Sequence, residues 1–129
     1  MPTPNQPGEM AVVTKAKELC AYVMTVTQKS PKQFRFTFTS RLQNLALDVI
    51  EQIYRANDVM LDGNAQNRAR RLEHQHASLT SLRILAYFAM LAREQGCLTP
   101  RQYELIANLA TDCQRMLGGW INSDRRRQA

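Results

Sequence analysis

Apolar residues recur at steps of three and four along most of the chain, which is the period of an amphipathic helix. Val13, Ala16, Cys20, Val23 and Thr27 make the first stripe, widened by Leu19, Met24 and Val26, and predict a helix over 9–28. The β-branched run around Val23 to Thr27 lowers helix propensity, yet the period holds as far as Ser30-Pro31, where Pro disfavours helical backbone in the residue before it. Leu42, Leu45, Val49, Ile53 and Ala56, with Ala46 and Ile50 beside them, predict a second helix. It should begin at Ser40, read as its cap, and end near Leu61 before an Asp62-Gly63-Asn64 turn. A third helix is expected over 65–95. Leu72, Leu79, Leu82, Ala86 and Ala89 give it one apolar face, and Ile84, Leu85, Phe88, Leu91 and Ala92 a second. Gly96 suits a left-handed stop. Thr99 then caps a fourth helix with Pro100 in its first position and Glu104 near its positive end. That helix carries Tyr103, Ile106, Ala110, Cys113, Leu117 and Trp120 in near-heptad steps and should fray over 123–127.

Helices of about 20 to 30 residues joined by short links must run antiparallel to their neighbours. The expected fold is therefore all-α, an up-down-up-down four-helix bundle over 9–124. A flexible tail is expected over 1–8, where Pro2, Pro4 and Pro7 fall, and a basic tail over 125–129. The alternating run Phe34 to Phe38 is too short and isolated to build a sheet, and its phenylalanines are expected to close the open end of the core. Two apolar faces on the third helix imply burial on more than one side, by its own bundle or by a second subunit, because an exposed stripe of that size is a liability in a monomer.

The chain has 129 residues, 44% hydrophobic and 22% charged, which is a globular balance and a length that buries a core without staples. Cys20, Cys97 and Cys113 cannot all pair within one chain, and none lies in a CxxC motif. They are expected to be free thiols in a reducing compartment. No basic start leads into an apolar run, and no stretch approaches the roughly 18 apolar residues of a membrane span. A cytoplasmic protein without a membrane segment is expected.

Catalytic chemistry finds little to build on. His74 and His76 are two apart, about 200° around a helix, so they cannot share a metal within one subunit, and the HExxH spacing is absent. Asp48 with Glu51, and Asp58 with Asp62, read as solvated faces, with Arg55 set to pair with Glu51. Gly118-Gly119 lies inside a helix rather than in a phosphate loop, and is expected to let another helix approach. Neither catalytic residues nor a metal or cofactor site is expected, and the chain is not read as an enzyme.

Charge is the informative remainder. The net charge is +6, and Arg supplies thirteen of the seventeen cations, in the planar fork that suits phosphate. Three clusters stand out: Lys29, Lys32, Arg35 and Arg41, interleaved with phenylalanines; Arg68, Arg70 and Arg71; and Arg125, Arg126 and Arg127. Cations interleaved with aromatics suit single-stranded nucleic acid, whereas buried phenylalanines would leave only the cations outside. All ten cations are candidates for nucleic-acid binding. Antiparallel helices bring the second and third clusters to one end of the bundle and leave the first at the other. Split at the helix midpoints, one end holds ten cations against seven acids and the other seven against four. A binding surface would therefore run along the side or arise by repetition in an oligomer.

Together these segments resemble a known family. Ser30-Pro31-Lys32-Gln33-Phe34-Arg35-Phe36-Thr37, with Arg41-Leu42-Gln43 opening the next helix, resembles the "FPK…RFT…R" signature of a family of four-helix bundles. It includes the accessory variability determinant (Avd) proteins of diversity-generating retroelements and the bundle proteins encoded in intervening sequences of large-subunit ribosomal RNA genes. Gln114-Arg115-Met116-Leu117-Gly118-Gly119-Trp120-Ile121 is similar to the Avd-like "GRMLGGW" ending. This chain has Ser30 and Gln114 where many relatives have Phe and Gly. The resemblance implies a non-catalytic, basic homopentamer that associates with a reverse transcriptase and with RNA, and DNA as well, in support of mutagenic complementary-DNA synthesis. The alternative it leaves open is an intervening-sequence type of bundle, a protein-interaction module without nucleic-acid binding.

Overall fold

Buried positions recur every three or four residues on each of four helices in the computed structural model, which describes residues 7–128, with side chains from 11 to 127. The helices are α1 (Pro7–Thr27), α2 (Ser40–Asp58), α3 (Ala65–Glu94) and α4 (Pro100–Gln128). Each packs against two others, α1 on α2 and α4, and α3 on α2 and α4, which closes the up-down-up-down bundle. Leu19, Val23, Leu42, Val49, Ile53, Leu82, Leu85, Ile106, Cys113 and Leu117 are sealed from solvent along its axis. Removing their side chains from water drives assembly at about 25 cal/mol per Å² of apolar surface.

Several expected boundaries move. The core face of α1 centres on Val12, fully buried, and Val13 beside it is only half-buried. Residues 1–6 of the expected tail lie outside the described residues, and α1 already includes Pro7 and Gly8. The C-terminal tail is not a tail as far as Gln128, because α4 continues through it. Arg125 to Arg127 sit in its last turn, where positive side chains oppose the negative end of the helix dipole.

Ser40 does not cap α2. The chain is already helical before it, through a 3₁₀ turn (Lys32–Phe34) and a π-helical turn (Arg35–Thr39), so no free helix start remains to be capped. At its other end α2 stops at Asp58, where Val59 turns extended and buries its side chain. Gly63 has a φ of 85°, the left-handed conformation that favours glycine. Asn64 then caps α3, accepting from the backbone N–H of Gln66 (2.8 Å) and Asn67 (3.2 Å). Gly96 adopts the expected left-handed stop, φ 86°. Thr99 and Gln102 exchange reciprocal hydrogen bonds of 3.0 and 3.1 Å at the start of α4, a capping box.

The second apolar face of α3 is split. Leu85 and Ala92 are buried and Phe88 and Leu91 half-buried, while Ile84 and the neighbouring Tyr87 face solvent. Gly118 and Gly119 admit no close helix within the subunit, since a Cβ on either meets nothing within 4 Å.

Candidate nucleic-acid interface

The link from α1 to α2 forms the first candidate surface. Thr27 at the end of α1 donates its hydroxyl to the Val23 carbonyl (2.6 Å) and accepts from the Gln43 amide of α2 (2.9 Å). Ser30 donates to the Cys97 carbonyl (2.9 Å), which ties the link to the α3–α4 turn. Pro31 is extended, and the Phe34 N–H closes onto its carbonyl to start the 3₁₀ turn. The π turn that follows sorts the three phenylalanines. Phe34 and Phe38, four apart, pack together at 6.1 Å between ring centroids and rest on the core. Phe36, midway between them, is 86% exposed.

The expectation that the phenylalanines close the core therefore holds for Phe34 and Phe38 and fails for Phe36. The Arg35 guanidinium lies 6.0 Å from the Phe36 ring centroid, at the outer reach of a cation–π contact. Both border a shallow groove of about 440 Å³ with Ser30, Lys32, Ser40 and Gln43. Arg41 covers the Phe88 ring at 5.1 Å. Lys29, Lys32, Arg35 and Arg41 are all exposed and have no carboxylate partner among the described residues. The chain explains this, because no Asp or Glu occurs between Glu18 and Asp48.

At the opposite end Arg68 and Arg70 project from the first turns of α3, and Arg125 and Arg126 from the last turn of α4. All four are exposed without a carboxylate partner among the described residues. Arg68 and Arg125 border one cleft. The first cluster does not join this one, since they occupy opposite ends of the bundle.

Arg71 is the correction. Expected on the outer surface, it is 3% exposed. Its Nε and Nη2 donate to the two Asp124 oxygens at 2.7 and 3.1 Å, its Nη1 donates to the Val59 carbonyl, and its guanidinium covers the Trp120 ring at 5.1 Å. Gln75, also buried, donates to Asp124 at 2.9 Å, and Arg127 reaches the same carboxylate at 2.6 Å. Burial pushes the Asp124 carboxyl up. The hydrogen bonds from Arg71, Arg127 and Gln75, with the charge of Arg71, outweigh it and hold the group below the usual carboxylate range. Arg71 is thus committed to the fold, and Arg127 is partly committed.

A signal for this network was present in the spacing. The buried face of α3 runs through Leu82, Leu79 and Ser78 to Gln75 and Arg71, and that of α4 through Leu117 and Ile121 to Asp124. Opposite charges therefore stand at core positions at the same end of two antiparallel helices.

Elsewhere, His74 Nδ1 lies 2.8 Å from Gln52 Oε1, and His76 is exposed. Arg55 pairs with Glu51 at 2.9 Å, as expected. Asp62 is held below its ordinary range by hydrogen bonds from the Asn64 backbone and the Asn67 amide. Cys20, Cys97 and Cys113 are free and buried, and burial pushes the Cys113 thiol up to about 12. Among the described residues no cluster of three His, Cys, Asp or Glu is arranged to hold a metal, and no helix is long and apolar enough to cross a membrane.

Comparison with known proteins adds two findings. Residues 10–124 match the family described as bAvd-like. The fold is similar to the crystal structure of a protein of unknown function from the S23 ribosomal protein family of Bacteroides thetaiotaomicron, at 19% identity and a TM-score of 0.76. That similarity covers 89% of this chain and 98% of the other. No curated protein matches.

Proposed function

We propose that this chain, which belongs to the bAvd-like family, is a non-catalytic accessory protein of a diversity-generating retroelement. It binds the element's RNA, and DNA as well, associates with its reverse transcriptase, and supports mutagenic complementary-DNA synthesis. The observation that carries this reading is Phe36, an aromatic ring held in solvent beside Lys32, Arg35 and Arg41 in a segment free of acids. Phosphates need positive charge and bases need flat faces, and this segment offers both. Eight of the ten candidate cations, all but Arg71 and Arg127, have no carboxylate to satisfy them among the described residues. Each phosphate they neutralise adds affinity by releasing condensed counterions.

The protein works in the cytoplasm as a homo-oligomer, a pentamer. Leu47 and Tyr54 on α2 and Ile84 and Tyr87 on α3 leave large apolar side chains in solvent, which supports further burial between subunits. Repetition of the subunit multiplies the cationic contacts. A reconstituted reaction with the retroelement's reverse transcriptase and template RNA tests the reading. Complementary-DNA synthesis should depend on this chain and fall when Lys32, Arg35 and Phe36 are replaced by Ala. Synthesis that proceeds equally without the chain contradicts it and returns the choice to a protein-interaction bundle.

A further inference from the structure

The cleft between the start of α3 and the end of α4 is not used by the surface around Phe36. It encloses about 310 Å³, near the lower bound of small-ligand pockets. Leu61, Ala65, Ala69, Leu72 and Ile121 make its walls mostly apolar, Arg71 and Asp124, paired with one another, also line it, and Arg68 and Arg125 border it. Gln75 lines it too, at 1% exposure. The Gln75 Nε2 is committed to Asp124, and its Oε1 accepts from no group among the described residues. A buried amide oxygen without a donor is costly. An N–H from a ligand seated in the cleft would satisfy it.

Charge points to the rest of that ligand. Arg68 stands in the first turn of α3, where the helix dipole is positive and which holds no acidic residue. Arg125 comes from α4, so two helices deliver cations to one opening.

We infer that this cleft receives one unstacked nucleotide of the bound RNA. The apolar walls take the base, Gln75 Oε1 accepts from an N–H on its edge, and Arg68 and Arg125 hold the adjacent phosphates. Enzymes that extrude a base recognise it by the same combination of apolar walls and a polar edge. The inference rests on the reading of the chain as nucleic-acid-binding, and gives it a second, base-dependent contact at the pole opposite Phe36.

Affinity of the full-length protein for oligo(A) is compared with its affinity for an abasic ribose–phosphate oligomer of equal length. Both are repeated with Ala69→Phe, which fills the cleft from an exposed position, and with Arg68→Ala/Arg125→Ala. Wild type should prefer oligo(A) by about tenfold or more. Ala69→Phe should lose a large part of that preference and keep abasic binding, and the double Arg variant should weaken both. In a parallel titration, the Gln75 side-chain amide resonances should move with adenosine 5′-monophosphate and not with ribose 5-phosphate.

An Ala69→Phe protein that keeps the full base preference overturns the inference and leaves the proposed function standing. So does one that loses its oligomeric state while retaining oligo(A) affinity, since the cleft is then a subunit contact. Gln75 signals that move with neither probe, or equally with both, overturn it as well. A wild-type protein that binds neither polymer removes the proposed function along with it.

Discussion

The Arg71 guanidinium grips Asp124 as a two-point fork, at 2.7 and 3.1 Å, across the α3–α4 interface. With both groups buried, the pair fixes the end of the bundle from which Arg68, Arg70, Arg125 and Arg126 project. Removing Arg71 leaves the buried Asp124 carboxylate to Arg127 and Gln75, and removing Asp124 takes from the buried Arg71 its carboxylate, a loss of about 3 kcal/mol in either case. Arg71→Ala and Asp124→Asn should both lower the urea midpoint strongly. Arg70→Ala, exposed and without an ion pair among the described residues, should change stability by less than about 0.5 kcal/mol.

The same carboxylate sets a pH dependence. The folded-state pKa of Asp124 lies below the ordinary 3.8, so it contributes stability that is fully present above that value. This stability is lost as pH falls through the lower folded value. Wild type should exceed Asp124→Asn in thermal midpoint at pH 7, and the gap should narrow below about pH 4. A gap that stays constant down to pH 2 counts against the network.

Cys113 should resist thiol reagents while the protein is folded. Its pKa near 12 leaves almost no thiolate at pH 8, and the thiolate is the reactive form. Its modification by a disulfide reagent should therefore proceed at the rate of unfolding, become fast in denaturant, and leave the native helical signal intact beforehand.

Phe36→Ala removes a ring that touches little of the core, so stability should hold within about 0.5 kcal/mol. Affinity for a single-stranded oligonucleotide should fall by about 1 to 3 kcal/mol, the range of one base–aromatic stack. Phe38→Ala provides the contrast, because its ring packs on Phe34 and the core and its loss should destabilise the bundle.

How much of this was legible in the sequence follows the chemistry of each residue. The α2 stripe from Leu42 to Ala56 is buried throughout, because a helix with one apolar face has one way to sit on a core. Gly96 and Thr99 were readable because their local geometry depends on near neighbours alone. Val12 displaced Val13 because adjacent apolar residues do not reveal which faces inward. The π turn left no trace in the periodicity, so the outward placement of Phe36 went unread. Arg71 was misassigned because an Arg-rich run looks like a surface until its register is followed along α3 to meet Asp124 on α4.

On the proposed reading, exposed cations without a carboxylate partner among the described residues hold nucleic acid on this bundle. The most direct test of this claim is the salt dependence of affinity for structured RNA, measured for wild type, Lys32→Ala/Arg35→Ala and Arg68→Ala/Arg70→Ala. Log affinity should fall linearly with log salt, and each double variant should flatten the slope by roughly one to two. A flat response in wild type, or slopes identical in all three proteins, contradicts the claim.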